Sequence, residues 1–105
     1  MKNVFQQLNK AFDNKVRLGI MASLMVNSKL SFNNLKELLQ LTDGNLASHL
    51  KALEKLEYIA FNKAFVGRKP ITTYIITSNG KTAFEFHLKT LEELIKQQNL
   101  NLSES

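Results

Sequence analysis

Polar and cationic side chains recur along residues 42–56 at spacings that place them on one face of a helix. Winding this segment at about 100° per residue puts Leu46, Leu50 and Leu53 on the opposite, apolar side. The polar side comprises Gly44, Asn45, Ser48, Lys51, Ala52 and Lys55, with Thr42 at the helix entry and His49 on the margin. Asparagine can pair with an adenine edge, serine with a base or a phosphate, and lysine with phosphate. The face therefore fits the major groove of duplex DNA, with an ordinary solvated helix face as the alternative.

Two features of this face limit how it would read bases. It carries no arginine, and because arginine to guanine is the commonest specific contact, its absence favours modest or A·T-tolerant readout. A lone flanking histidine is more often a packing or phosphate-contacting group than a base reader, so we interpret His49 in that way.

A second group of cations follows at residues 66–70, Val-Gly-Arg-Lys-Pro, between two segments that are rich in β-branched and aromatic residues. Glycine supplies unusual backbone angles there and proline stiffens the exit. The pattern predicts a hairpin whose tip presents Arg68 and Lys69 to a minor groove or a phosphate track, and Lys63 extends that surface. A solvated turn is the alternative. The neighbouring Phe61, Phe65, Tyr74 and Ile76 are predicted to face inward as packing groups.

The elements that position these residues follow the order helix, helix, helix, hairpin, helix. Periodicity and capping residues predict helices over residues 14–27, from a Ser31 cap to residues 40–41, and from a Thr42 cap to about residue 56. A short strand at Leu30 precedes the second helix, and strands are predicted over residues 59–65 and 72–77. A last helix begins at Thr77 or Ser78 and ends near Gln98, and the tail 99–105 is expected to fray.

The first three helices are predicted to form the core. Val16, Ile20 and Leu24 recur at helical spacing, and Met21 and Met25 widen the stripe, so the first helix should be central and largely buried. The second helix directs Leu35, Leu38 and Leu39 inward. The fold class is therefore mainly α with a small β-hairpin: a winged helix-turn-helix with a three-helix core, a two-stranded wing and a long C-terminal helix.

The last helix carries an apolar stripe that a small core does not need. Its members are Phe84, Leu88, Leu91, Leu94 and Ile95. We predict that this helix, about residues 78–98, mediates a homodimer, with folding back onto its own domain as the alternative. Val4, Phe5, Leu8, Ala11 and Phe12 are candidates for the second side of that interface.

Composition limits the remaining possibilities. The 105 residues fit one domain, residues 1–105, and the net charge of +5 predicts a polyanionic partner. Residues 1–78 hold 11 basic and 5 acidic groups, whereas residues 79–105 hold 3 basic and 4 acidic groups.

The sequence contains no cysteine, so it can form no disulfide and no zinc thiolate site. Neither a signal peptide nor a membrane span is apparent, so a cytoplasmic protein without membrane contact is expected.

Nothing in the sequence indicates an enzyme. There are two histidines and no cysteine, and no phosphate-binding glycine loop or nucleophile elbow is present. His87 lies beside the apolar stripe of the last helix and is interpreted as interfacial. We predict no catalytic residue, no cofactor and no metal site.

The chain resembles the winged-helix transcription regulators of the MarR and ArsR groups, and in particular their small stand-alone members. The likeness rests on residues 41–54 (Leu-Thr-Asp-Gly-Asn-Leu-Ala-Ser-His-Leu-Lys-Ala-Leu-Glu), 67–70 with 72–74, and 77–84. It implies operator binding as a homodimer, with Asn45, Ser48 and His49 near the groove and Arg68 and Lys69 at the wing tip. Metal-sensing relatives use cysteines that this chain lacks, so metal sensing is not expected.

The function expected from these observations is sequence-specific binding of double-stranded DNA by a homodimeric transcription regulator, a repressor. The alternative is a winged-helix protein-interaction module that never binds DNA, for which a neutral or acidic wing would be typical. The sequence supplies no ligand chemistry, so a small-molecule effector stays unknown.

Overall fold

The computed structural model describes the backbone of residues 3–104 and the side chains of residues 3–98. The elements, in chain order, are two short 3-10 helices (Val4–Gln7 and Lys10–Phe12), α1 (Lys15–Val26), β1 (Leu30–Ser31), α2 (Phe32–Leu39), α3 (Asp43–Lys55), β2 (Ile59–Val66), β3 (Lys69–Ile76) and α4 (Ser78–Glu104). The predicted fold class and order of elements are confirmed. The two 3-10 helices were not predicted.

The core forms around α1, which packs against α2, α3 and β3. Ile20 and Met21 of α1 are fully buried, as are Leu35 of α2 and Leu46 of α3. Fully burying such a side chain contributes about 1.5–3 kcal/mol, so these residues supply much of the driving force for the fold. Helix α3 thus has one inner face of leucines, and its other face is left for function.

Side-chain caps fix the angle between α2 and α3. Ser31 and Asn34 form a reciprocal capping box at the start of α2. Gln40 ends α2 in the left-handed region, with φ at 53°, and the hydroxyl of Thr42 accepts a hydrogen bond from the Asn45 N–H at the start of α3. A salt bridge of 2.8 Å between Lys36 and Asp43 links the two helices. The turn is therefore held by local contacts.

The three strands form an antiparallel sheet in the order β1-β3-β2. Strands β2 and β3 stay paired from Ile59 with Ile76 as far as Val66 with Lys69, so the hairpin is tighter than the predicted turn 66–70. Only Gly67, at φ +66°, and Arg68 lie between the paired ends. Pro70 is tolerated in β3 because β1 covers only Thr73 and Tyr74 of that strand.

Three residues that were predicted to face inward are exposed. Leu38 is 57% exposed, Phe61 52% and Phe65 74%. The hairpin projects beyond the helices, so only its base meets the core, where Ile59 and Tyr74 are buried and Ile76 is partly buried. The alternation in β2 was therefore misinterpreted, because no second layer covers the outer half of the strand.

Helix α4 is 27 residues long, about 40 Å at 1.5 Å per residue. Thr77 caps it by accepting the Gly80 N–H at 2.9 Å. The predicted end near Gln98 is wrong, since the helix continues to Glu104 where a frayed tail was expected; Ser105 lies outside the described residues. The helix contributes to a long axis of 65 Å, against 25 and 21 Å for the other two.

Candidate nucleic-acid interface

The polar face of α3 points away from the core, as the helical periodicity predicted. Five of the six predicted members of this face are exposed: Gly44, Asn45, Ser48, Lys51 and Lys55. The sixth member, Ala52, is half-buried, and so is His49 at the margin of the face. Thr42 is exposed at the entry, where its hydroxyl is engaged in the cap. An ideal Cβ on Gly44 would meet no atom within 4 Å, so the first turn offers an open approach to a ligand.

Asn45 and Ser48, near the start of α3, take part in different hydrogen bonds within the chain. Ser48 Oγ donates to the Asn45 carbonyl at 3.1 Å, and the Asn45 backbone N–H donates to Thr42 Oγ1 at 3.2 Å. Ser48 therefore keeps its oxygen lone pairs for a donor outside the protein, while the Asn45 side chain extends from an exposed position. Both can meet a base edge or a phosphate from this turn.

A shallow concavity of about 640 Å³ follows the second half of α3. Ser48, Lys51, Ala52 and Lys55 line it, together with Glu54. The sequence analysis missed Glu54, which is half-buried at the edge of the basic face. Its carboxylate introduces a negative charge beside Lys51 and Lys55, so the charge of this face is less uniformly positive than the lysines alone indicated.

A second groove, of about 360 Å³, lies between α3 and the hairpin and brings Lys51 and Lys63 together. Lys63 Nζ lies 5.9 Å from the centre of the Phe61 ring, within reach of a cation–π contact. Phe61 in turn lies beside Tyr74, with ring centres 6.4 Å apart. Burial, and to a smaller degree Glu54, raise the pKa of Tyr74, so its hydroxyl is neutral. The lining of the groove therefore combines two lysines with the carboxylate of Glu54 and with aromatic rings that include Phe61 and Tyr74.

The hairpin tip presents two further cations. Arg68 and Lys69 are exposed, and neither lines the groove between α3 and the hairpin. Gly67 adopts a left-handed φ of +66°, which a side chain would strain. The tip and α3 thus offer two separate basic surfaces on the same domain.

His49 is in contact with Arg17, a residue of α1 that the sequence analysis did not identify as part of the site. Arg17 of α1 donates through Nε to the Ala11 carbonyl at 2.6 Å, and its Nη1 lies 3.2 Å from His49 Nδ1. Nothing in the periodicity of α1 indicated this contact, because Arg17 and His49 are 32 positions apart. His49 is therefore linked to both the first helix and the N-terminal segment.

Only part of the predicted dimer stripe on α4 is exposed. Leu88, Leu91 and Ile95 are 45%, 42% and 56% exposed, and Leu94 is half-buried. Phe84 is 4% exposed and packs edge-on against Phe12, with ring centres 5.3 Å apart, so it belongs to the core of the chain itself and is not available to a partner.

The N-terminal segment is likewise divided between core and surface. Phe12 is 4% exposed, whereas Phe5 is 58% exposed. Val4 and Leu8 are half-buried, and Ala11 packs against the core. The segment therefore covers one side of α4 within the same chain, which corrects the expectation for Phe12.

Two further observations limit the chemistry available. Among the described residues, no group of three or more His, Cys, Asp or Glu side chains is placed to hold a metal ion. No helix within this part of the chain is both long and apolar enough to cross a bilayer.

The chain matches the family model described as a winged helix DNA-binding domain over residues 16–95. An uncharacterized protein of Methanocaldococcus jannaschii is 38% identical over 87 residues, which cover 83% of this chain and 95% of that protein. The predicted winged-helix resemblance is thus confirmed, and the matched family is one of DNA-binding domains, in agreement with the expectation that the chain is not an enzyme.

Two solved structures extend the comparison. A transcriptional regulator homologue protein from Pyrococcus horikoshii OT3 superimposes with a TM-score of 0.81 at 33% identity, covering 93% of this chain and 98% of that one. Bacillus subtilis PadR, solved in complex with operator DNA, has a TM-score of 0.61 at 19% identity and covers 70% of this chain and 46% of that one. At that identity the PadR likeness concerns the fold alone.

Proposed function

Since this chain belongs to the winged helix DNA-binding domain family, we propose that it binds specific double-stranded DNA as a homodimer and represses transcription there. The exposed face of α3 enters the major groove, with Asn45 and Ser48 at base edges and Lys51 and Lys55 on phosphates. Arg68 and Lys69 of the hairpin contact the adjacent backbone or minor groove. Thr42, Gly44, His49 and Lys63 complete the interface.

The observation that carries this proposal is the division of α3 into two faces. Leu46, Leu50 and Leu53 are all at most 1% exposed, while the opposite face is open and carries groups that suit base edges and phosphate. The excess of basic groups in residues 1–78 lies in the same part of the chain as α3 and the wing. Charge of this kind supplies most of the sequence-independent part of DNA affinity.

The homodimer is supported by the apolar side chains that α4 leaves in solvent. Leu88, Leu91 and Ile95 lie at 3- and 4-residue intervals on one side of the helix, next to the half-buried Leu94. A contiguous apolar patch of this kind marks an interaction site more often than a free surface. A second copy of the chain is the simplest partner, because a twofold dimer places two recognition helices on a palindromic site.

Repression follows from occupancy of the site. A dimer bound across an operator excludes other proteins from the same DNA, and this mode of action needs no further contact with the transcription machinery.

Selection of bound sequences from a random duplex pool tests the proposal, followed by anisotropy titrations of the selected and scrambled duplexes at two salt concentrations. We expect a palindromic preference and an affinity for the selected duplex at least ~10³-fold above the scrambled one. Absence of binding to any duplex at low salt would favour the alternative, a winged-helix module for protein partners. Transcription in vitro from a promoter that carries the selected site then tests repression.

A further inference from the structure

Arg17 was not predicted to belong to the DNA interface, yet its side chain contacts His49, which was. Its guanidinium is half-buried between the second 3-10 helix and α3, where Nε donates to the Ala11 carbonyl and Nη1 lies 3.2 Å from His49 Nδ1. The Asn14 side chain caps α1 at this point by accepting the N–H groups of Val16 and Arg17. The backbone of Arg17 is therefore fixed, and two contacts fix its side chain.

The chemistry of the pair determines the state of the imidazole. A guanidinium has five N–H donors and no acceptor, so the nitrogen that faces it must accept. A hydrogen bond from the guanidinium therefore requires Nδ1 to be unprotonated, and the tautomer that meets this requirement carries its proton on Nε2. Nε2 is the atom farther from the backbone, and the ring sits at the margin of the face proposed to meet DNA. The contact with Arg17 thus leaves the His49 ring with one hydrogen-bond donor, the Nε2–H, which is the ring N–H farther from the backbone.

We propose that Arg17 is a positioning residue of the DNA interface, which holds His49 as the Nε2–H tautomer so that this N–H donates to a phosphate oxygen. The inference rests on the proposed function. It assigns His49 the part of a hydrogen-bond donor through Nε2, and it gives α1 a role in DNA binding without contact to DNA. Orientation by a fixed partner increases what the single hydrogen bond contributes, since less side-chain freedom is lost on binding.

The test begins with the free protein, by recording the ¹⁵N chemical shifts of the His49 ring. The Nε2–H tautomer is expected in the wild-type chain, and a mixture of tautomers in Arg17→Met, which keeps the apolar stem and removes every donor. Lys29→Met removes the same charge from an exposed position and should leave the tautomer unchanged. A wild-type His49 with its proton on Nδ1 would overturn the inference.

Binding to the selected duplex gives the second readout. Arg17→Met should weaken binding by at most roughly fivefold, the loss expected when one oriented hydrogen bond is removed, and it should cause no further loss in a His49→Ala background. His49→Gln, whose amide can replace the Nε2 donor, should retain more affinity than His49→Ala. Additive losses from Arg17→Met and His49→Ala would contradict the positioning role.

The salt dependence separates positioning from direct contact. A neutral N–H releases no counterion, so the slope of log K against log salt should be the same for Arg17→Met and the wild type. A slope smaller by about 0.9 would mean that Arg17 itself neutralises a phosphate and would overturn the inference. A wild-type chain that binds no duplex would overturn the proposed function as well, whereas wild-type binding with additive losses would overturn this inference alone.

Thermal unfolding of each variant verifies the fold. Should Arg17→Met not fold, Arg17→Gln replaces it, because a side-chain amide can either donate or accept and therefore does not select one tautomer of His49. The same mixture of tautomers and loss of affinity are expected for it, and full retention of both would contradict the inference.

Discussion

The backbone N–H of Asn9 donates a hydrogen bond to Nδ1 of His87, 3.1 Å away and 78 positions later in the chain. The Asn9 side chain also donates to the Tyr58 hydroxyl at 3.0 Å. His87 is only 7% exposed and lies edge-on to Phe12, with ring centres 5.1 Å apart. These contacts tie the N-terminal segment to α4 and to the turn after α3. His87 is thus interior to the chain, whereas we predicted it at an interface.

The burial of His87 predicts a pH dependence of stability. Burial lowers the pKa of His87 from 6.5, and the opposing effect of Asp13 is smaller. The unfolded chain therefore binds more protons just below pH 6.5, so the contribution of His87 to the free energy of unfolding is complete above pH 6.5 and is lost as pH falls through the lowered pKa. The difference in the free energy of urea unfolding between pH 7.5 and pH 5.0 measures this contribution of His87.

His87→Asn is the control for that experiment, because its side-chain oxygen can accept from Asn9 and does not titrate. We expect the wild type to lose more stability than His87→Asn between the two pH values. Equal losses would show that other groups cause the pH dependence.

The close approach of α4 to the turn after α3 gives a second prediction. An ideal Cβ on Gly80 would lie 2.0 Å from the Tyr58 carbonyl oxygen, and backbone cannot give way as a flexible side chain can. We expect Gly80→Ala to lower the free energy of unfolding by about 3 kcal/mol or more. In Gly44→Ala the added Cβ meets no atom within 4 Å, so stability should stay the same or rise by up to about 1 kcal/mol. Urea titration compares the two, and equal effects would contradict the packing argument.

The wing supplies a third prediction. Arg68→Ala with Lys69→Ala should weaken binding to every duplex and reduce the slope of log K against log salt by up to about 1.8, because each neutralised phosphate contributes about 0.9. Lys81→Ala with Lys89→Ala removes the same charge from exposed positions of α4 and should leave the slope unchanged. Anisotropy titrations over a range of salt concentrations measure both, and an unchanged slope in the wing variant would mean that the wing does not touch DNA.

The sequence predicted those parts of the fold that follow from local patterning. The caps at Ser31 and Thr42 and the leucine spacing of α3 were identified correctly, since helix periodicity and capping act within a few residues. Phe61 and Phe65 were misplaced because alternation in a strand does not indicate whether a second layer covers it. The position of Phe84 in the stripe of α4 is equally compatible with a place in the core and with a place in a dimer interface. Only its packing against Phe12 shows that it belongs to the core.

The candidate site was predictable where residues share one helix face and not where they converge from distant positions. Asn45, Ser48, Lys51 and Lys55 follow from the spacing within α3. The Arg17–His49 pair depends on how α1 crosses α3, which no local pattern in the sequence indicates.

A fourth prediction concerns base readout. Asn45→Ala and Ser48→Ala should alter sequence preference more than overall affinity, because a lost base contact costs about 1–3 kcal/mol at one position of the site only. Stability should barely change, since both side chains are exposed. Repeating the selection with each variant measures the preference. Equal losses on selected and scrambled duplexes would show that these residues do not read bases.

The last prediction concerns assembly through α4. Leu91→Asp, alone or with Ile95→Asp, should yield a monomer that keeps its helices, because each position is about half exposed in the single chain, whereas a dimer would bury the new carboxylates without partners. Sedimentation velocity at micromolar concentration, with and without DNA, measures the assembly. Gln97→Asp adds a carboxylate at an exposed position off the stripe and should leave the dimer intact.

Loss of the dimer should change DNA binding in a specific way. A monomer retains one wing and one recognition helix, so affinity for a full operator should fall steeply while weak half-site and non-specific binding persist through phosphate charge. In the wild type, the twofold axis requires two protected patches about one helical turn apart, or a multiple of it, in a footprint. A wild-type chain that sediments as a monomer both with and without DNA would remove the dimer from the proposed function, and the contacts of α3 and the wing would then have to account for specificity alone.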